Sequence, residues 1–195
     1  MLSLGSRPHT LVMAGALVAF ALCLGLVEST VLPSAGVPGF RLGIANVAIL
    51  LAFPLIGRTG AGIVTVGKIL LVAMATGSVF GPGLYLAAVG GLAAYLSMAV
   101  MWSLNDRFSI VGCSVAGSAA HVLGQLGAVG LLIGNPVAFM FMPYLLGASL
   151  ATGFITALIA RSLLRHIPSQ AMSVDLSQGR RMWSDATFDL GRRIG

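Results

Sequence analysis

The chain has 195 residues, of which 57% are hydrophobic and only 8% are charged, with a formal net charge of +6. A soluble domain carries about 25% charged residues, so this composition excludes an ordinary aqueous surface. The length instead suffices for about six membrane spans of roughly 20 residues each, with a short tail left over.

Span one is predicted over residues 10–28, TLVMAGALVAFALCLGLVE. Its apolar run is long for a signal-peptide core, and Glu28 follows it where a cleaved leader has small residues, so it reads as a retained span. A Pro/Gly-rich connection, STVLPSAGVPGF, leads to span two over about 40–56. The tight turn Gly57-Arg58-Thr59-Gly60 opens span three, about 60–77, and Ser78 to Pro82 closes it. Span four covers about 83–104 and ends at the polar turn Asn105-Asp106-Arg107. Span five covers about 109–133, Gly134-Asn135-Pro136 breaks it, and span six covers about 138–163. Residues 1–166 thus read as a transmembrane domain and 167–195 as a polar tail carrying Arg180-Arg181, Arg192-Arg193, Trp183 and Phe188. The tail is expected to be a solvated cytoplasmic end, or one that rests on anionic lipid.

The basic residues sort by side. With six spans, Arg7, Arg58, Arg107, Arg161 and Arg165 all fall at one face, and only Glu28 and Arg41 fall at the other. Basic loops stay cytoplasmic, so the expected location is the bacterial inner membrane with both termini inside. The same rule accounts for the positive charge without nucleic acid. Cys23 and Cys113 each sit in an apolar run and read as small packing residues.

Span five carries Gly112, Ala116, Ala120, Gly124 and Ala128 at four-residue spacing, which puts them on one helical face. Small side chains in such a row let a neighbouring backbone approach closely, so the ladder is assigned to helix packing. His121 and Gln125 share a face near mid-membrane, where an interhelical hydrogen-bonding role and a ligand or proton role are both open. No second His or carboxylate has ligand spacing to His121, so no metal is expected. Lys68 lies near the centre of span three, where a charge costs a few kcal/mol and must face the bundle interior. It either pairs with Glu28 or meets an anionic group of a substrate. Arg41 could snorkel to the headgroups, whereas Asn46, five residues deeper, needs a partner. Glu28, Arg41, Asn46, Lys68, His121 and Gln125 all lie between mid-membrane and the outer face, so one outward-opening polar pocket would collect them.

Two absences narrow the function. There is no GxxxxGK[ST] sequence, so the chain has no Walker-type ATPase of its own. Its four aspartates, Asp106, Asp175, Asp185 and Asp189, are not clustered as a magnesium–diphosphate site requires. No enzyme activity and no cofactor are expected.

The stretch GFRLGIANVAILLAF resembles the G-x-K-L-G-L-A-N segment of the bacterial Gx transporter family, also known as heptaprenyl diphosphate synthase component I. FSIVGCSVAGSAAHVLGQL is similar to that family's F-S-x-x-G…H-x-x-G-Q segment, and MPYLLGASLATGFITALIA continues the likeness, which spans roughly 10–165. The resemblance implies a relative of the substrate-binding S components of energy-coupling-factor transporters. Those are six-helix proteins that hold a small substrate near the outer side and work with a transmembrane coupling subunit and two cytoplasmic ATPases. By position, the motif residues carried over are Arg41, usually Lys in the family, with Gly43, Asn46, His121, Gly124 and Gln125. Lys68 stands where the family usually has Arg. Gly15-x-x-x-Ala19 is the nearest match to the Ala-x-x-x-Ala contact through which S components meet their coupling subunit.

The expectation is therefore an all-α, S-component-like membrane bundle that binds a small anionic or amphipathic molecule, such as a vitamin or isoprenoid-type compound, for uptake. Arg41, Asn46, Lys68, His121 and Gln125 would bind it, with Glu28 as counter-charge or gate. The alternative is a non-catalytic membrane accessory in polyprenyl diphosphate or quinone biosynthesis.

Overall fold

A computed structural model describes residues 7–31, 41, 43–104, 108–134 and 136–167. The predicted tail from 168 onward, the 105–107 turn and most of the first connection lie outside the described residues. Among the described residues the fold is all helical: α1 (Arg7–Val31), α2 (Asn46–Ala75), α3 (Pro82–Ser103), α4 (Ile110–Ile133), a 3-10 turn (Pro136–Phe141) and α5 (Met142–His166). Five of these helices are long and apolar enough to cross a membrane.

Local chemistry sets several of the ends. Pro82 opens α3 at a position whose N–H would be unsatisfied in any case. The Ser109 hydroxyl caps α4 by accepting the Gly112 N–H at 3.1 Å.

The six predicted spans become five helical runs because α2 contains two of them. Gly57 breaks the run with φ 75° and ψ −176°, a left-handed backbone that a side chain would strain. The break is a reversal. Asn46 and Lys68 are 22 residues apart, which a straight helix would separate by about 33 Å. Their side chains instead meet at 2.6 Å, so residues 46–56 and 58–75 form an antiparallel hairpin.

The first arm of that hairpin has 11 residues and is about 16 Å long, half of a hydrocarbon core about 30 Å thick. Span two was expected to be helical from about residue 40. The helix starts only at Asn46, and the described residues before it, Arg41 and Gly43 to Ala45, are a short non-helical strap. Bare backbone at this depth is tolerated only inside protein, and Gly43, Ala45 and Asn46 are buried.

The first arm is the axis of the bundle. Every residue from Asn46 to Ile56 is buried. Around it pack Leu17 and Ala21 of α1, Val64 of the second arm, Met98 of α3, Cys113 of α4 and Leu164 of α5. At the basic end Phe53 stacks on Tyr95, with ring centres 6.0 Å apart, and tilts against Trp102 at 5.5 Å. The outer helices turn Leu11, Val12, Leu96, Leu131 and Phe154 outward, which lipid would cover.

Close helix approach is concentrated at particular glycines. Gly124 and Ala128 of the predicted ladder do pack inward: Gly124 lies against the Val89 carbonyl and the Gly90 backbone, and Ala128 beside Leu86. Gly112, Ala116 and Ala120 are half-buried. At Gly153 in α5 a methyl group would stand 2.9 Å from the Val115 Cα and 3.0 Å from the Ser118 hydroxyl. Ser114 Oγ donates to the Gly153 carbonyl at 2.7 Å, which locks the two backbones together. Gly153→Ala is expected to lower stability by about 1–3 kcal/mol through overpacking. Gly147→Ala, with open space around it, is expected to cost nothing. Thermal unfolding of the two variants in detergent checks the contrast.

Candidate polar site opposite Arg58

The six polar residues singled out in the sequence meet at the end of the bundle opposite Arg58. Glu28 arrives on the last turns of α1, Asn46 at the head of the first arm, and Lys68 ten residues into the second arm. His121 and Gln125 come from α4, and Arg41 from the strap. The hairpin explains the depth: Lys68 and Asn46 are each about 15–16 Å along their arms from the reversal at Gly57, so they lie near mid-membrane.

Four polar bonds tie the strap and its neighbours. The Gly43 N–H donates to Glu28 Oε1 at 2.6 Å. The Arg41 N–H donates to Gln125 Oε1 at 3.3 Å, and its guanidinium donates to Thr76 Oγ1 at 3.4 Å. Lys68 Nζ donates to Asn46 Oδ1 at 2.6 Å. Lys68 thus takes Asn46 as its direct partner, while Glu28 acts on both Lys68 and Arg41 through its field.

Burial makes each of these groups costly to leave unmatched. Asn46 and Gln125 are fully buried, and Glu28, His121 and Lys68 are nearly so. Among the described residues, Asn46 Nδ2, Gln125 Nε2 and both ring nitrogens of His121 nevertheless have no hydrogen-bond partner. The His121 ring lies close to the Gly90 carbonyl, near enough to interact but without hydrogen-bond geometry. Gly90 and Gly43 make room for this cluster. A methyl group on Gly90 would stand 2.7 Å from Gln125 Cγ and 3.0 Å from His121 Cε1.

Between these groups lies a cavity in which the centre of a water molecule has about 20 Å³ of free space. Glu28, Arg41, Lys68 and His121 supply its polar lining, and Gly25, Ile69, Val72 and Ala87 its apolar walls. That is room for one water. A larger ligand requires the strap to move outward.

Sequence reasoning missed Thr76 and Gly90, neither of which carries a signature apart from this packing. Gly43 stood out only through its place in the motif. Among the described residues no group of three His, Cys, Asp or Glu could hold a metal ion. Cys23 and Cys113 are free thiols, the first exposed and the second buried.

A family model described as heptaprenyl diphosphate synthase component I matches residues 17–163. No curated protein and no solved structure matches the chain.

Proposed function

This chain belongs to the heptaprenyl diphosphate synthase component I family, and from that membership we propose that it is a substrate-binding membrane subunit for uptake of a small anionic or amphipathic molecule. The observation that carries this reading is the cluster of buried hydrogen-bonding groups without partners, set beside two cations at a cavity. A folded protein satisfies nearly all its buried polar groups, and sites where it does not are where a ligand completes the set. Ionisable residues at membrane depth point the same way.

Arg41, Lys68, Asn46, His121 and Gln125 bind the ligand in this proposal. Glu28, which holds the strap by the Gly43 N–H, acts as counter-charge and gate. The ligand enters from the outer face, opposite the basic end marked by Arg58. Uptake then needs an energy source supplied in trans by cytoplasmic ATPases with a coupling subunit, and the chain itself is not an enzyme. Gly15 and Ala19 are both exposed on α1, with open space at Gly15, which leaves that helix free to meet such a subunit.

The test is thermal stabilisation of the full chain in lipid nanodiscs by a panel of vitamins and isoprenoid phosphates. At least one compound is expected to stabilise the wild type and to lose its effect on the Lys68→Ala/His121→Ala variant. If no compound distinguishes the two proteins, the binding role is wrong. The second reading, a non-catalytic accessory in polyprenyl diphosphate synthesis, is favoured by the family's own description. Co-purification separates the two, since an ATPase pair supports uptake and a soluble prenyl synthase supports the accessory role.

A further inference from the structure

Resting on that binding role, we propose that the site is built for a monoanion, a carboxylate attached to an apolar body, and discriminates against phosphate and diphosphate esters. Charge and hydrogen-bonding capacity at and beside one cavity point to that ligand, with Asn46 bonded to Lys68 of the lining and Gln125 to Arg41. Arg41 and Lys68 bring two positive charges and Glu28 brings one negative charge, so with a neutral imidazole the lining carries a single uncompensated positive charge. In a water-poor interior such a charge is expensive unless it is paired. One negative charge completes the set. A phosphate monoester near neutral pH brings about −1.5 to −2, which overshoots and leaves a buried negative excess.

The hydrogen-bonding groups lead to the same ligand. The two amide oxygens are taken, Asn46 Oδ1 by Lys68 and Gln125 Oε1 by the Arg41 N–H, and Glu28 Oε1 accepts from the Gly43 N–H. What remains unmatched on the two amides, Asn46 Nδ2 and Gln125 Nε2, is donor capacity only. A carboxylate is acceptor-only, with two oxygens. It therefore supplies acceptors to both amides and to the protonated nitrogen of His121, and asks for no acceptor in return. Ile69, Val72, Ala87 and Gly25 on the remaining walls suit an apolar body behind that head. The strap that must yield is held by Glu28 and Gln125 and by the Asn46, Val47 and Ala48 N–H groups, which donate to the Gly43, Ile44 and Ala45 carbonyls.

Glu28 sets the charge count, and this makes the proposal testable by a swap of preference. The probes are octanoate, octanamide and octyl phosphate, which share one tail and differ in head charge. Binding to the full chain in nanodiscs is read by thermal shift and calorimetry against empty nanodiscs. The wild type is expected to bind octanoate about ten-fold or more tighter than either other probe, one decade in Kd. Glu28→Gln raises the lining by one positive charge and is expected to move the preference toward octyl phosphate. Arg41→Gln lowers it by one and is expected to move the preference toward octanamide, so the test survives if either variant fails to fold. Octyl phosphate binding the wild type as tightly as octanoate overturns the monoanion assignment while leaving the binding role intact, as does an unchanged ranking in the variants. If none of the three probes binds the wild type, the binding role itself is lost.

Discussion

Asn46→Ala is expected to destabilise the fold by about 2–4 kcal/mol, because it strips a buried cation of its direct partner. Lys68 Nζ and Asn46 Oδ1 are 2.6 Å apart, Asn46 is fully buried and Lys68 is 7% exposed. At that exposure bulk water does not replace the lost acceptor, and the adjoining cavity has room for one water only. The residual field of Glu28 offsets part of the loss, which keeps the expected effect below that of an isolated buried charge. The diagnostic partner experiment is Asn46→Ala/Lys68→Met, which removes charge and acceptor together. Most of the lost stability is expected to return, since replacing both members of a buried polar pair by apolar groups is close to neutral. Equilibrium unfolding in mixed micelles reads both variants. If the double variant is no more stable than the single one, Lys68 is not the group that Asn46 serves.

Gly43→Ala is expected to cost about 2–3 kcal/mol, combining a backbone penalty of about 1–2 kcal/mol with a steric clash. Gly43 has φ +88°, and a Cβ there would stand 2.7 Å from Asn46 Nδ2 and 3.1 Å from His121 Cδ2. Relief of that clash pushes Asn46 away from Lys68 and lifts the strap from Glu28. Gly77→Ala separates the two contributions. Its φ is +65°, but nothing lies within 4 Å of the added carbon, so only the backbone term of about 1 kcal/mol remains. The difference in melting temperature between the two variants measures the packing share. Equal losses would mean that the strap is loose enough to absorb the methyl group.

Much of the site was legible because membrane interiors punish polar atoms. Glu28, Arg41, Asn46, Lys68, His121 and Gln125 stand out in an apolar chain by residue type alone, and periodicity assigns each to a depth. Their convergence followed from depth, since all six belong to the half of the bundle opposite Arg58. What periodicity could not supply was the choice of partners. A Lys68–Glu28 pair and a ligand role were equally open in the sequence, but the direct bond went to Asn46. Glu28 turned instead to a backbone N–H of the strap.

The small-residue ladder on α4 shows the same division. Four-residue spacing places Gly112, Ala116, Ala120, Gly124 and Ala128 on one face, but it does not say which neighbour covers which stretch. Only Ala128 is buried, the other four are half-buried with Gly124 against the Gly90 backbone, and a very close approach falls at Gly153. Helix crossing geometry decides that, and crossing angles are not written in one helix's spacing.

By itself, then, the sequence determined the solvent, the helical class, the basic face and the residue types of the polar cluster, because each follows from the cost of placing charge or bare backbone in hydrocarbon. Only the tertiary structure decided that span two is a half-length arm folded back at Gly57 and buried along its whole length. It also decided that the cavity beside Lys68 is closed to the size of one water. Both depend on contacts between residues far apart in the chain, where a left-handed glycine and a 22-residue separation bring Asn46 and Lys68 to one point.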